Sequence, residues 1–403
     1  MGKIVKVALS AVVVAMSLNF VACDKGTISN KVSSILNLKS DNSIIFDGNE
    51  VSKDEVMSYE SAYKDACATY YKDKLSEEEL QLYNTFIYAY EHKYKNIKFN
   101  SSNSNLGDSY KKIVQCLSAE NPFIDWNQQY SYVYSSGCYE FTSTQLDRKD
   151  VDLKIQAYNK AKEILKSMPQ GSAYDKVLWI YSYIVNNITY VEDSNSYLSG
   201  SPSFIYDGLI GGKTQCTGFA DTMTMMCNLA GIQTITICGE TNEGHAWNLV
   251  NLDGNFYYCD ATSDSVIKAD LPEGIKDLHL SFLKSEEVFS ANGYSSMSDV
   301  VIDFPKALDK RYDSNNVDFN LENFNNENDL ISMAQKLMNG KSYVVVHLKE
   351  VSVDDASEST AAANYISSYI ANNITSSVYK YVTVPHLISE GSNDVVFFVN
   401  FEK

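Results

Sequence analysis

Cysteine, histidine and aspartate occur in this order in the stretch 216–260, each at the edge of a recognisable element. Cys216 follows a glycine-rich turn and precedes a helical run. His245 opens a strand-like segment, and Asp260 follows a second one. A thiol beside an imidazole that a carboxylate orients forms an activated cysteine nucleophile. We therefore expect Cys216 to attack a carbon centre, His245 to carry the proton and Asp260 to orient His245.

The element that positions the thiol is a predicted helix over Cys216–Ala230, closed by Gly231 in the C-cap position. From Phe219 onward its apolar residues recur at steps of four, three and four, which indicates one buried face. Cys216 then lies at the helix N-terminus, where unpaired N–H groups and the positive end of the dipole favour a thiolate. The same N–H groups could receive the oxyanion of a tetrahedral intermediate.

The element that positions the other two residues is a predicted β-hairpin. The segments 245–252 and 255–260 flank Asp253-Gly254, a dipeptide typical of a two-residue hairpin turn. A two-residue turn fixes the register of both strands, because Leu252 must then face Asn255.

Counting back from that turn, Trp247 faces Asp260 and His245 faces Thr262. Side chains on one face of a strand recur every second residue, so His245 and Asp260 share a face. As diagonal neighbours their backbones lie ~7–8 Å apart, within reach of a hydrogen bond between the side chains. The hairpin thus predicts a His–Asp pair, with Asp264 as the alternative orienting carboxylate.

The combination resembles the transglutaminase-like superfamily, whose members are relatives of the papain-like cysteine proteases. The resemblance covers roughly residues 155–290. Its motif is a glycine-rich turn, Cys, Gly and an aromatic residue, then Gly-His-Ala-Trp-Asn, then an Asp after a strand. The matching residues are Gly212, Cys216, Gly218, Phe219, Gly244, His245, Trp247, Asn248 and Asp260.

This resemblance implies an α+β fold in which the nucleophile helix packs on an antiparallel sheet. It implies a Cys216–His245–Asp260 triad acting on carboxamide or peptide bonds, by acyl transfer to an amine or by hydrolysis. Gln215, Trp247 and Tyr206 are candidates for the substrate cleft. Gln215 departs from the family pattern, since a small apolar residue is commoner before the nucleophile.

Simpler structural roles and a second function stay open at this stage. Cys216 could be a small buried apolar residue, His245 a core histidine and Asp260 a cap at the end of a strand. Gln215 and the Ala-Thr-Ser-Asp sequence after Asp260 also keep open a non-catalytic surface protein that binds peptides or cell-wall material.

The N-terminus has the features of an export signal. Two lysines precede an apolar run that is shorter than the ~20 residues of a comfortable membrane span. The sequence Phe20-Val21-Ala22-Cys23 resembles a lipoprotein signal, in which Cys23 is acylated. We therefore expect a signal peptide at 1–22, a flexible Ser- and Asn-rich tether at 23–43, and a lipoprotein anchored in the membrane at the cell surface.

The remaining chain is long enough for two or three domains. We expect a mostly helical region at 44–150, with a capping box at Ser76 and one strand over Tyr130–Phe141. The transglutaminase-like core follows at 151–300, and after a loop-like stretch at 305–330 the chain forms a small C-terminal α/β domain, so that this domain spans 305–403.

Charge and cysteine spacing limit the partners. The net charge of −18 argues against a nucleic-acid partner. The spacing of the other cysteines matches no common zinc motif, and we expect neither a metal nor a cofactor. The expected partners are a peptide or protein substrate, with cell-wall peptides among the candidates, and a membrane through the N-terminal lipid.

Overall fold

The computed structural model describes residues 42–124, 130–143, 148–192, 204–269 and 278–313, and four strands between 316 and 399. The predicted signal peptide, Cys23 and all but the last two residues of the predicted tether lie outside these ranges. No helix in the described ranges is both long enough and apolar enough to cross a membrane.

The N-terminal region contains a five-stranded antiparallel sheet, which the prediction of a mostly helical region omits. Two of its connections are tight turns that place both central residues at positive φ, Asp47-Gly48 and Ser136-Gly137. The second turn splits the single strand predicted over Tyr130–Phe141 into a hairpin. In spatial order the strands are β2 (Asn49–Ser52), β1 (Ser43–Phe46), β3 (Asn96–Asn100), β5 (Cys138–Ser143) and β4 (Tyr130–Ser135).

Three helices accompany this sheet: α1 (Lys53–Ser58), α2 (Glu77–Glu91) and α3 (Leu106–Glu120). The capping box predicted at Ser76 is present, because its hydroxyl accepts a hydrogen bond from the Glu79 N–H while the Glu79 carboxylate accepts one from the Ser76 N–H. The aromatic face of α2 is buried and packs on the sheet, with the Phe86 and Phe141 rings 5.4 Å apart at their centroids.

The central part of the chain builds a four-stranded antiparallel sheet in the order β10-β9-β8-β11, flanked by helices. The helices and strands of this central part are, in chain order, α4 (Arg148–Leu165), α5 (Ala173–Asn187), β6 (Thr189–Tyr190), α6 (Phe204–Leu209), β7 (Lys213–Thr214), α7 (Cys216–Leu229), β8 (Thr234–Glu240), β9 (Gly244–Leu252), β10 (Asn255–Cys259), α8 (Ala261–Ala269), α9 (Glu286–Ala291) and β11 (Ser295–Ser296). Helix α7 packs on this sheet, where the hydroxyls of Thr224 and Thr236 lie 2.9 Å apart. The predicted fold class, a nucleophile helix on an antiparallel sheet, is confirmed.

The buried apolar residues of the N-terminal region and of the central part form one continuous core, from Ile44 to Ala307. Hydrogen bonds join the two parts as well: Gln115 of α3 donates to the Asp299 carbonyl and accepts from the Val301 N–H. The packing of the core therefore extends past residue 300.

Four strands near the C-terminus form a separate sheet in the order β12-β13-β15-β14. Their bounds are Asn316–Asn320 (β12), Tyr343–Lys349 (β13), Thr383–Leu387 (β14) and Asp394–Val399 (β15), and only the β12–β13 pair is parallel. β12 lies within the stretch 305–330 that was predicted to be loop-like. That prediction is wrong for those five residues.

Candidate active site

Cys216 is the first residue of α7, and Gln215 is its N-cap residue with an extended backbone. The half-buried Cys216 packs against a small cluster made of Ala220, Cys238 and Ala246. The helix therefore presents the thiol at its N-terminus, as the sequence predicts. The N–H groups of the first turn lie beside it, where they favour negative charge.

A glycine one turn into α7 allows the neighbouring elements to approach the nucleophile. A Cβ atom on Gly218 would lie 2.0 Å from the Thr214 hydroxyl and 2.6 Å from the Phe204 carbonyl oxygen. Those two atoms hydrogen-bond to each other at 2.7 Å, which ties β7 to the start of α6. The glycine of the motif is thus explained by close packing of backbone against the first turn.

The predicted hairpin is present with the predicted register. Asp253 and Gly254 both have positive φ, Leu252 pairs with Asn255, and Asn248 pairs with Cys259. The predicted pairings of Trp247 with Asp260 and of His245 with Thr262 are wrong, because the chain leaves the sheet after Cys259 and starts α8 at Ala261.

The His–Asp contact that the register predicts is present. His245 Nε2 and Asp260 Oδ2 lie 2.7 Å apart. The Asp260 side chain is 1% exposed and that of His245 is 9% exposed, so the pair is shielded from water. The other carboxylate oxygen, Oδ1, accepts hydrogen bonds from the backbone N–H groups of Thr262 (2.9 Å) and Ser263 (3.1 Å). Asp260 therefore caps the first turn of α8 while it binds His245.

The electrostatics favour an ion pair between thiolate and imidazolium. Burial disfavours the charged forms of all three groups, but their mutual interactions outweigh it. Asp260 and Cys216 raise the pKa of His245 to about 10. The hydrogen bond and the charge of His245 lower the pKa of Cys216, and the Ala246 N–H lowers it further. The charge of His245 also lowers the pKa of Asp260.

Two residues of the Gly-His-Ala-Trp-Asn segment support the site from behind. The Trp247 ring stacks beside the His245 imidazole, with centroids 5.9 Å apart, and it is only 4% exposed. It contacts the imidazole rather than offering a broad wall to a cleft. The Asn248 amide donates to the Ala220 carbonyl (2.9 Å) and to the Thr224 hydroxyl (3.0 Å), which fastens β9, the strand of His245, to α7, the helix of Cys216.

The other two cleft candidates lie in different surroundings. The Gln215 amide donates to the Glu192 carbonyl oxygen at 3.2 Å, so it links the nucleophile loop to the end of the β6 segment. Tyr206 lies on α6, partly buried against the hydrophobic core. None of the contacts shown by the described residues joins it to the triad.

Two tyrosines that sequence reasoning missed lie near the triad. Tyr190 pairs with Thr214 across β6 and β7; burial and then the negative charges of Cys216 and Glu192 raise its pKa. Tyr294 donates a hydrogen bond to Asp260 Oδ2 at 2.6 Å. The position of Tyr190, in a short extended segment before the nucleophile loop, was a usable signal. Tyr294 gave none, since it lies far along the chain from Asp260.

Asp264, the alternative orienting residue, has another role. It is fully buried, accepts a hydrogen bond from the Tyr181 hydroxyl at 2.7 Å and one from the Ser281 N–H at 3.2 Å, and burial raises its pKa to about 7. The same Tyr181 hydroxyl also lies 2.9 Å from the Asp260 carbonyl oxygen. Asp264 thus stabilises the backbone that carries Asp260.

In the part of the chain that the structure describes, no group of three or more His, Cys, Asp or Glu side chains could hold a metal ion.

One segment of the chain matches a known family of proteins. Residues 160–261 match the sequence model of the transglutaminase-like superfamily. No curated protein matches the chain.

Similar solved structures include a proposed cysteine protease from Cytophaga hutchinsonii, with 19% identity over 34% of this chain and 62% of that chain, and a TM-score of 0.24. Another is a TGase, with 19% identity over 53% and 59%, and a TM-score of 0.26. A third is the periplasmic domain of TgpA from Pseudomonas aeruginosa, with 15% identity over 32% and 55%, and a TM-score of 0.23. The chain thus spans 55% to 62% of the lengths of these three chains.

Proposed function

We propose that the part of the chain that matches the transglutaminase-like superfamily, residues 160–261, forms the core of a cysteine acyltransferase or peptidase. The observation that carries the proposal is the arrangement of Cys216, His245 and Asp260. The thiol lies at a helix N-terminus, and an imidazole that a buried carboxylate holds at 2.7 Å lowers its pKa against the effect of burial.

In the proposed reaction the Cys216 thiolate attacks the carbonyl carbon of a carboxamide or peptide bond. The N–H groups at the start of α7 receive the resulting oxyanion. The His245 imidazolium gives its proton to the departing amine, and a thioester forms on Cys216. Neutral His245 then takes a proton from water or from an amine, which attacks the thioester and releases Cys216.

The contact between thiol and imidazole also bears on the non-catalytic alternative. A binding module has no need for a thiol whose pKa is lowered, yet His245 lowers the pKa of Cys216 against the effect of burial. In the described part of the chain, the other buried cysteines have no histidine beside the thiol, and burial raises their pKa. For Cys227 burial raises the pKa to about 12. This selective perturbation supports catalysis over binding.

We propose that the substrate is a peptide or protein at the cell surface, with cell-wall peptides as first candidates, and that the enzyme is held there by a lipid on Cys23. Residues 1–41, which include Cys23, lie outside the described residues, so this part of the proposal comes from the sequence alone. A single acyl chain binds membranes only marginally, so stable attachment requires a multiply acylated N-terminus.

The test of the reaction class is incubation of the wild-type protein and of Cys216→Ala with cell-wall fragments and a labelled primary amine, read by mass spectrometry. Loss of ammonia with incorporation of the amine identifies a transferase, and gain of water identifies a hydrolase. Equal product from the Cys216→Ala variant would contradict the proposed nucleophile.

A further inference from the structure

Tyr294 makes a direct hydrogen bond to the carboxylate of the triad. Its hydroxyl donates to Asp260 Oδ2 at 2.6 Å, the same oxygen that lies 2.7 Å from His245 Nε2. The Tyr294 ring also lies edge-on to the rings of His245 (5.9 Å) and Trp247 (5.1 Å). Tyr294 lies outside the segment that matches the superfamily, residues 160–261.

The backbone after α9 delivers Tyr294 to this position. Gly293 ends the helix with a φ of +82°, and the Tyr294 N–H donates to the Phe289 carbonyl oxygen at 3.1 Å. The next residue, Ser295, pairs with Glu240 at the edge of the central sheet. The Tyr294 ring is also held by Phe289, with centroids 4.4 Å apart.

Gly239 makes room for this arrangement. A Cβ atom there would lie 2.2 Å from the Trp247 ring and 2.4 Å from the Ser295 carbonyl oxygen. Gly239 also pairs with His245 across β8 and β9. The absence of a side chain at this position therefore allows the Trp247 ring and the Ser295 backbone to close together behind the imidazole.

Toward Asp260 the Tyr294 hydroxyl acts as the donor. Burial and the negative charge of Asp260 raise its pKa well above its ordinary value, so the hydroxyl keeps its proton. With His245, Tyr294 and two backbone N–H groups, the Asp260 carboxylate has four donors for its two oxygens.

We propose that Tyr294 is a positioning residue of the triad, which shares the Asp260 carboxylate with His245 and so limits how firmly that carboxylate holds the imidazolium proton. The proposal rests on the proposed function, because it assigns Tyr294 a part in the proton transfers of His245. Its physical basis is that a donor binds a carboxylate more strongly when no adjacent cation neutralises the charge. The Tyr294 bond therefore stabilises the state with neutral His245 more than the state with imidazolium.

The consequence for the reaction concerns the second step. Breakdown of the thioester requires neutral His245 as the base, whereas formation of the Cys216 thiolate requires the imidazolium. By favouring the neutral form, Tyr294 helps the second step without removing the ion pair needed for the first.

The titratable groups that surround Asp260 are His245, Tyr294, Tyr181, Asp264, Cys259, Cys216 and Tyr190.

The test is a titration of His245 by NMR in the full-length protein labelled with ¹⁵N-histidine. In Tyr294→Phe, which keeps the ring and loses the hydroxyl, we expect the pKa of His245 to rise by about one-half to one unit. A matched control is Tyr257→Phe, since the Tyr257 hydroxyl donates to Asp309 at the same 2.6 Å but away from the triad. That variant should leave His245 unchanged.

A second variant separates hydrogen bonding from packing. A fluorinated tyrosine at position 294 is a stronger donor of nearly the same shape, so it should move the pKa of His245 in the opposite direction, downward. It also serves if Tyr294→Phe fails to fold. A His245 pKa that stays within about 0.2 units of wild type in the folded variants would overturn the proposal.

Alkylation of Cys216 by iodoacetamide tests the proposed nucleophile separately from the role of Tyr294. We expect fast alkylation at pH 7 in wild type and in Tyr294→Phe, because the thiolate depends on the imidazolium, which the variant retains. Slow alkylation in wild type would contradict the proposed nucleophile and leave the His245 titration to decide the role of Tyr294.

Discussion

Replacing His245 with alanine tests the central claim, that an imidazolium keeps Cys216 ionised. Burial raises the pKa of the thiol, and the hydrogen bond and charge of His245 lower it by more. In the variant the burial and the negative charge of Asp260 remain, while the cation is lost. Cys216 should then titrate like the other buried thiols of this protein, of which Cys227 has its pKa raised from 9.0 to about 12 by burial.

The size of the effect follows from that comparison. A rise from 9.0 to about 12 lowers the thiolate fraction at pH 7 about 10³-fold. The pKa of wild-type Cys216 lies below 9.0, so this is the smallest drop in thiolate fraction that we expect. A more basic thiolate is also a better nucleophile, and with a Brønsted slope of ~0.4–0.5 this offsets about 15- to 30-fold of the loss. We therefore expect alkylation of Cys216 by iodoacetamide to slow by about 30- to 65-fold at pH 7.

The assay is a time course of alkylation, with each cysteine quantified by peptide mass spectrometry. The half-buried Cys67 and Cys138 serve as internal references, because burial raises the pKa of both. His92→Ala is the matched control, since His92 stacks on Tyr88 in the N-terminal region. A change smaller than about threefold in His245→Ala, or wild-type Cys216 reacting no faster than the references, would refute the reasoning.

Three further predictions follow from other parts of the molecule. Burial raises the folded-state pKa of Asp264 from 3.8 to about 7, so the stability that its protonated form contributes is complete below pH 3.8 and is lost as the pH rises to 7. Asp264→Asn should therefore flatten the fall in unfolding free energy between pH 4 and 7 by roughly 2–4 kcal/mol, with part of the slope left to Glu120. Thermal unfolding across pH checks this, and an unchanged slope would contradict it. Gly218→Ala should destabilise the protein by about 1–3 kcal/mol and slow alkylation of Cys216, because its methyl group meets Thr214; denaturant unfolding with wild-type stability would exclude the clash. Cys23→Ser should move the protein from the membrane fraction to the soluble fraction on ultracentrifugation, and an unchanged distribution would argue against the lipid anchor.

Much of the site could be predicted because its register depends on local chemistry. The turn Asp253-Gly254 requires positive φ at both residues, and such a turn allows one pairing of its strands. The His–Asp contact then followed by counting. The nucleophile helix was predictable for the same reason, since Gly231 at φ +80° marks its end just after Leu229.

The parts that were missed depend on contacts between distant residues. β1 pairs with β3 about fifty positions later in the chain, and each strand is only four or five residues long. Four or five residues are too few for the alternation of apolar and polar residues to stand out beside helices with a clear hydrophobic pattern. Tyr294 is a similar case, because a tyrosine after a glycine gives no sign that its hydroxyl reaches Asp260.

Asp260 shows why the structural and the catalytic interpretation of one residue need not exclude each other. Its Oδ1 caps α8 through the N–H groups of Thr262 and Ser263, as a simple cap would. Its Oδ2 is thereby turned toward His245 and Tyr294. The cap fixes the carboxylate plane, and the start of α8 places partial positive charge beside a buried anion. The break in the sheet register after Cys259 therefore positions the carboxylate that binds His245, because the N–H groups of Thr262 and Ser263 hold Asp260 only once α8 has begun.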